Sequence, residues 1–273
     1  MSLKFDDVPI IELNLKCKLD HDHPALSSTV DYTTTIPGMH GAYDFGADMG
    51  PKPFNLPMEI VGVRSNNEIA LIIRKIKKML LDGYGRPKYF KLSFDYEPDK
   101  YYNVRYSGNL PIERLVHKGK FTLPLTSFDA VAHSVVANNE VTWGSTVLTF
   151  ASTSYTFGHK GSKTHNITGT KTIVETVTGD TLRPIFNIKG SGINVKVSAN
   201  GQSFSLGTFS NTTWLIDGEN YTVLKNGVNG LSDYNKNYPE GDWIELLYGD
   251  NDITISGIGL NLTFEVRFRD KYM

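Results

Sequence analysis

Cysteine is almost absent: Cys17 is the only one in 273 residues. That excludes an internal disulfide and a multi-cysteine zinc site within one chain, so packing has to hold the fold. An excess of either charge is also missing, with 28 basic against 29 acidic side chains. Such a chain has no strong field for capturing a nucleic-acid backbone by counterion release, and sequence-specific nucleic-acid binding is not expected. No run approaches the roughly 18 consecutive apolar residues of a membrane span. The opening MSLKFDDVPIIELNLKCK places acids and lysines where a signal peptide keeps an apolar stretch. Membrane insertion is therefore not expected, and synthesis in a cytoplasm is. Asn166-Ile167-Thr168 and Asn220-Tyr221-Thr222 match glycosylation acceptors, but without a secretory route they are read as chance matches.

The strong catalytic signatures are missing as well. There is no P-loop, no G-x-G-x-x-G opening a helix, no G-x-S-x-G elbow and no H-E-x-x-H. His21-Asp22-His23, with His40 and Asp44 further along, offers imidazole and carboxylate ligands. Those ligands converge only if the segment is extended, and a solvated loop bounded by Pro24 is the simpler reading. Asp250 and Asp252 look like a fragment of a calcium loop but lack its central Gly and terminal Glu, so a turn between strands accounts for them. Asp95-Glu97-Asp99 and Glu240-Asp242-Glu245 supply carboxylates, with nothing nearby to raise a pKa for glycoside hydrolysis. No catalytic, cofactor-binding or metal-binding residue is predicted, and no enzyme is expected. Trp143, Trp214 and Trp243 are candidates for an aromatic saccharide platform, although a tryptophan is more often core.

What the chain does have is strand pattern. Residues 1 to about 60 carry Pro24, Pro37, Gly38, Gly41, Gly46, Gly50, Pro51, Pro53 and Pro57 between short apolar runs, which reads as short strands and long loops. One segment is helical: Asn66 or Asn67 can cap it, Glu68 suits its first turn, Ile69, Ile72, Ile73, Ile76 and Leu80 share one face, and Gly83 and Gly85 end it. Its other face carries Arg74, Lys75, Lys77 and Lys78, the ordinary solvated side of an amphipathic helix. Alternation in Phe90-Leu92-Phe94, Tyr102-Val104-Tyr106 and Phe121-Leu123-Leu125 predicts half-buried strands. From about Asn138 to Asp180 the composition shifts to Thr, Ser and Gly, which places a domain boundary between residues 1–137 and 138–273. The second half alternates in Ile193-Val195-Val197 and Leu260-Leu262-Phe264-Val266-Phe268, with turns at Asp217-Gly218, Asn226-Gly227 and Gly249-Asp250. It reads as an all-β sandwich or barrel, and the whole chain as mainly β with one helix.

Four blocks add a family likeness. IPGMHGAYDFG (Ile36 to Gly46), RPIFNIKG (Arg183 to Gly190), LIDGENYTVLKNG (Leu215 to Gly227) and LTFEVRFRDKYM (Leu262 to Met273) together resemble the distal tail proteins of siphophages and their prophages. Members carry a PG-x-x-G-x-Y-D-F-G turn, then a helix, and later a Pro-led strand, an ID-x-x-x-x-x-V-x-x-NG hairpin and a closing x-Y-R-x-R-Y strand. The order here agrees. The closing strand departs: Phe268 stands for the first aromatic, and Asp270 and Lys271 precede Tyr272. The likeness covers most of the chain and is weakest before Thr33 and across residues 140–180. It implies an N-terminal belt domain (1–137) that forms a hexameric ring and a galectin-like C-terminal β-sandwich (138–273). It also implies a structural hub in the virion tail, assembled in the bacterial host cytoplasm and without cofactors. Its partners would be the tail tube protein, the tail-associated lysin or tail tip protein, and receptor-binding proteins of the baseplate. Pro37, Gly38, Gly41, Tyr43, Asp44, Phe45 and Gly46 would then be the structural turn of the belt, the glycines in left-handed backbone. The rival reading is a carbohydrate-binding adhesion module that touches host cell-wall saccharide.

Overall fold

A computed structural model describes residues 2–18, 23–115, 118–140, 148, 152, 154, 155, 163–234 and 241–273. Contacts within the chain divide it into two units, residues 1–133 with Met273, and residues 134–272. The fold is mainly β with one principal helix, the class that the alternation predicts. Among the described residues, no helix is long and apolar enough to cross a membrane.

The first unit contains β1 (Leu3–Phe5), β2 (Val8–Pro9), β3 (Leu15–Cys17), β4 (Thr29–Thr34), β5 (Tyr43–Met49), β6 (Lys52–Ile60), α1 (Asn66–Leu80), β7 (Tyr89–Phe94), β8 (Glu97–Tyr106), β9 (Glu113–Leu115) and β10 (Lys118–Ser134), the last running into the boundary. Its main sheet has the order β2-β1-β7-β8-β10-β6-β3, with β9 also on β10. The antiparallel β6–β10 pair shows why these residues make strands. Phe54, Leu56 and Met58 stand opposite Leu125, Leu123 and Phe121, all six buried on one face. Prolines punctuate the stretch, yet β6 runs unbroken for nine residues through Pro53 and Pro57. The carbonyl of Pro57 accepts from Lys18 N–H at 2.9 Å, so its missing donor faces β3 and leaves the pairing with β10 intact.

Helix α1 buries the predicted stripe of Ile69, Ile72, Ile73, Ile76 and Leu80. Its cap is Ser65 rather than Asn66 or Asn67: the Ser65 hydroxyl accepts from Glu68 N–H at 3.3 Å, and the Glu68 carboxylate accepts from Arg64 N–H at 2.7 Å. The stop precedes the glycines. Leu81 is already extended, with φ −117° and ψ 150°, and Asp82 accepts from the N–H groups of Tyr84 and Arg86 at 2.9 and 2.8 Å.

The second unit contains β11 (His165–Ile167), β12 (Lys171–Val177), β13 (Ile185–Ala199), β14 (Gln202–Asp217), β15 (Thr222–Lys225), β16 (Val228–Asn229), the short α2 (Leu231–Tyr234), β17 (Gly249–Arg267) and β18 (Lys271–Tyr272). One seven-stranded sheet, ordered β11-β17-β13-β14-β15-β16 with β12 also on β17, surrounds one apolar core. It curls because its long strands bend. β13 shifts register against β14 at three places between Gly190 and Lys196, where Gly190 has φ +143° and Asn194 has φ +51°. Either side of the bend, β17 takes different neighbours, β12 along Gly249–Ile255 and β11 along Leu262–Phe264. The bend also breaks the expected alternation: Val195 and Val197 are buried, but Ile193 is exposed. The Asn226-Gly227 turn joins β15 to β16 with φ +51° and +81°, as a two-residue hairpin requires. Asp250 lies in β17 itself, not in a turn, and accepts from the Thr176 hydroxyl at 2.6 Å.

Candidate assembly interface

The β4–β5 hairpin stands apart. It forms a two-stranded sheet of its own, while every other strand of its unit joins the main sheet. Every residue of both strands is exposed. The exposed residues include Phe45 at 71%, Tyr43 at 52%, Tyr32 at 50% and Val30 at 46%, with Ile36 and Met39 near the tip. A lone two-stranded hairpin is at best marginally stable in water, and exposed apolar clusters of this kind mark interaction surfaces.

Local chemistry shapes this arm. At its tip the Met39 N–H donates to the Ile36 carbonyl at 3.1 Å, across Pro37 and Gly38. Gly38 has φ +88°, which a turn with proline first and glycine second needs. Gly41 follows with φ +90°. Lower down, Asp31 pairs with Ala47 and Thr33 with Asp44, so β5 carries an extra residue opposite Tyr32. Gly46 occupies that bulge at φ +100°, and its N–H donates to the Asp44 carboxylate at 2.8 Å. The Tyr32 hydroxyl donates to Asp48 at 2.9 Å, and this bond raises the Tyr32 pKa above the usual phenol value. Between Thr29 and Met49 the arm carries Asp31, Asp44 and Asp48 and no Lys or Arg. Tyr43 and Phe45, both in the segment that the family likeness makes the structural turn, face solvent.

The other sequence candidates resolve as follows. Trp214 is 1% exposed and packs edge-on to Phe209 inside the core, so it offers no face to a sugar. Trp243 is half-buried against that core, with its ring centroid 5.2 Å from both Tyr221 and Tyr234. Trp143, His21, Asp22 and Glu240 lie outside the described residues. His23 is set among aromatics, stacked on Phe94 at 4.7 Å, with its ring nitrogens bonded to the hydroxyls of Tyr96 and Tyr102. Burial, followed by the charge of Glu97, pushes Tyr102 up to about 12. His40 is exposed on the arm. Among the described residues, no three His, Cys, Asp or Glu side chains are grouped to hold a metal.

The carboxylates read as possible acid pairs serve structural bonds. Asp95 accepts from Ser2 N–H at 2.7 Å, Glu97 lies 3.6 Å from Lys100, and Asp242 accepts from Ser203 N–H at 3.0 Å. Glu245 pairs with Arg183. Sequence reasoning missed the arm's isolation from the main sheet. The only signal for it was three aspartates interleaved with Val30, Tyr32, Tyr43 and Phe45 and no basic residue.

Comparison with known proteins agrees with this architecture. Residues 11–127 match the family model for the phage tail protein RIFT-related domain. No curated protein sequence matches the chain. Among solved structures, the crystal structure of SPP1 Dit, described as a paradigm of hub adsorption apparatus in Gram-positive infecting phages, aligns over 100% of this chain and 99% of its own, with TM-score 0.69 and 12% identity. The phage P2 baseplate in its activated conformation with Ca aligns over 100% and 99% at 11% identity, but with TM-score 0.42, too low to establish a shared fold. The chain as a whole thus has the fold of SPP1 Dit, and its residues 11–127 match the phage tail protein RIFT-related domain.

Proposed function

We propose that this protein is a non-enzymatic hub of a long-tailed phage or prophage tail. Six copies form a ring that joins the tail tube to the tail tip and baseplate, where receptor-binding proteins attach. The virion tail is its place of action, and the bacterial host cytoplasm its place of assembly. The observation that carries this reading is the β4–β5 arm: two strands with every residue exposed, aromatic at Tyr32, Tyr43 and Phe45, and bonded to no other sheet. Such an arm gains its missing contacts on a neighbouring copy. The whole-length fold likeness to a protein described as a hub of an adsorption apparatus supports the same reading. Near-neutral charge also suits a channel through which DNA must pass without being held.

The test is light scattering across a concentration series, followed by negative-stain imaging of the largest species. Rings with a central hole are expected, and Phe45→Ala is expected to weaken association tenfold or more, about 1.4 kcal/mol. A protein that stays monomeric throughout, and binds neither a tube nor a tip protein of its own phage, would overturn the reading. The saccharide-binding alternative loses Trp214, which is inside the core, and no tryptophan among the described residues lies open and flat on the surface.

A further inference from the structure

At the root of the arm lies a small cavity of about 100 Å³, lined by Leu26, Ser27, Met49, Lys52, Asp129 and Ala130 among others. On this measure a single water needs roughly 10–15 Å³, so the space admits a larger group. Its polar walls are left incomplete. Lys52 is 2% exposed, at the first position of β6 and opposite Ser127 of β10. Its ammonium has three donors but only one long bond, 3.4 Å to the Ala25 carbonyl, besides the face of Tyr102 at 5.1 Å. Among the described residues no carboxylate pairs with it. The Ser27 hydroxyl is buried and has no hydrogen-bond partner among the described residues. Burying a charge and a hydroxyl without partners is costly, and such groups in native proteins normally have a counterpart.

Asp129 does not supply one. Its two carboxylate oxygens are taken by the Ser127 hydroxyl at 2.5 Å and by the His133 ring at 2.7 Å. The next residue, Ala130, sits at φ +60°, a backbone conformation unfavourable for alanine, and bends β10 around the cavity. Strain of this kind persists only where the surrounding structure enforces it, often at binding sites.

We propose that this cavity binds a carboxylate-sized anion, held by the Lys52 ammonium and the Ser27 hydroxyl. A buried cation and a buried hydroxyl that line one small pocket fit one planar acid group and not a bulky ligand. The lowered pKa of Lys52, caused by its burial and only partly offset by Glu97, is the response of a cation lacking such a partner. The site also has a mechanical consequence. Ser27 precedes β4, Met49 ends β5, and the Gly50 N–H donates to the Ser28 carbonyl at 2.6 Å beside them. An anion bridging Ser27 to Lys52 therefore ties the arm's root to β6 of the main sheet.

The experiment compares thermal midpoints in chloride and in sodium acetate at fixed ionic strength and neutral pH, for the unaltered protein, Ser27→Ala and Lys52→Met. The unaltered protein is expected to gain a saturable rise of roughly 3–6 °C at ten times the acetate dissociation constant. The acetate-dependent part is expected to shrink in Ser27→Ala and vanish in Lys52→Met. Because each variant is read against itself in the two salts, altered stability does not hide the result. Hydrogen exchange in the same salts should show acetate slowing exchange at residues 27–50. An equal acetate effect in all three proteins, or none in the unaltered protein, would overturn the proposal. Self-association plays no part in the readout, so the ring can fail while the anion site stands, and the reverse.

Discussion

Strands β5 and β6 are separated in the chain by Gly50 and Pro51 alone, and the two antiparallel pairs to which they belong, β4–β5 and β6–β10, use the same kinds of residue to opposite ends. In β6–β10, Phe54, Leu56 and Met58 meet Leu125, Leu123 and Phe121 across the ladder, and every one is buried. In β4–β5, Val30 faces Asp48 and Thr34 faces Tyr43, and every residue is exposed. The first pair completes its contacts within the protomer, where a buried leucine or phenylalanine contributes roughly 1.5–3 kcal/mol. The second is shaped by its own turn, bulge and Tyr32–Asp48 bond, and leaves its aromatic side chains exposed. Strand-forming residues thus do not by themselves say where a face is buried; the neighbours across the ladder do.

The largest expected effect sharpens this contrast. Trp214→Ala removes a fully buried side chain from the second core and should lower stability by about 3–5 kcal/mol, read as the urea midpoint by circular dichroism. Phe45→Ala removes an equally apolar ring and should leave that midpoint within about 0.5 kcal/mol at protein concentrations where no association occurs. A large loss for Phe45→Ala under those conditions would mean that the arm packs within its own protomer.

A second pair of substitutions separates backbone crowding from backbone freedom. Gly190 and Gly41 both have positive φ, at +143° and +90°. A methyl at Gly190 would lie 2.2 Å from the Asn261 carbonyl oxygen and 2.6 Å from the Leu262 Cα, whereas nothing lies within 4 Å of one at Gly41. Gly190→Ala should cost on the order of 3 kcal/mol, because β13 and β17 must part at their bend. Gly41→Ala should cost only about 1 kcal/mol, through backbone strain in the arm alone. Equal midpoints for the two would show that the β13 bend is softer than its geometry implies.

How much of this was legible in the sequence follows the same division. Strand and helix faces were, because their apolar periods are local: the α1 stripe from Ile69 to Leu80 is buried as its spacing predicts, and so are Leu260 to Phe268. The positive φ of Gly38 and Gly46 is tied to a turn and a bulge that Pro37 and Asp44 announce. What depends on distant residues was not. The cap went to Ser65 because its hydroxyl, and not the neighbouring asparagines, reaches Glu68 N–H. Pro53 and Pro57 entered a strand because their missing donors face away from β10, which no one-dimensional pattern records. Ile193 turned outward because a bulge in β13 shifts its parity. The cavity at Lys52 is assembled from residues about 100 positions apart, so its incompleteness appears only in three dimensions.

The smallest effect lies where the buried β6–β10 pair gives way to polar groups. Asp129 is partly buried, which by itself would raise its pKa, but hydrogen bonds from His133 and Ser127 outweigh that and hold the carboxyl below its usual range. A folded pKa below the unfolded value near 3.9 contributes stability that is complete above the unfolded value and is lost as pH falls through the folded one. Asp129→Asn should therefore be less stable than the unaltered protein at pH 7. The difference should stay below about 1 kcal/mol, since the side chain is 36% exposed and solvent screens it. Urea midpoints of the two proteins should converge as the pH is lowered below 4. A gap that keeps its size in acid would mean that Asp129 acts through neutral hydrogen bonds at the β10 bend, and that the polar end of this strand pair is held by geometry rather than by charge.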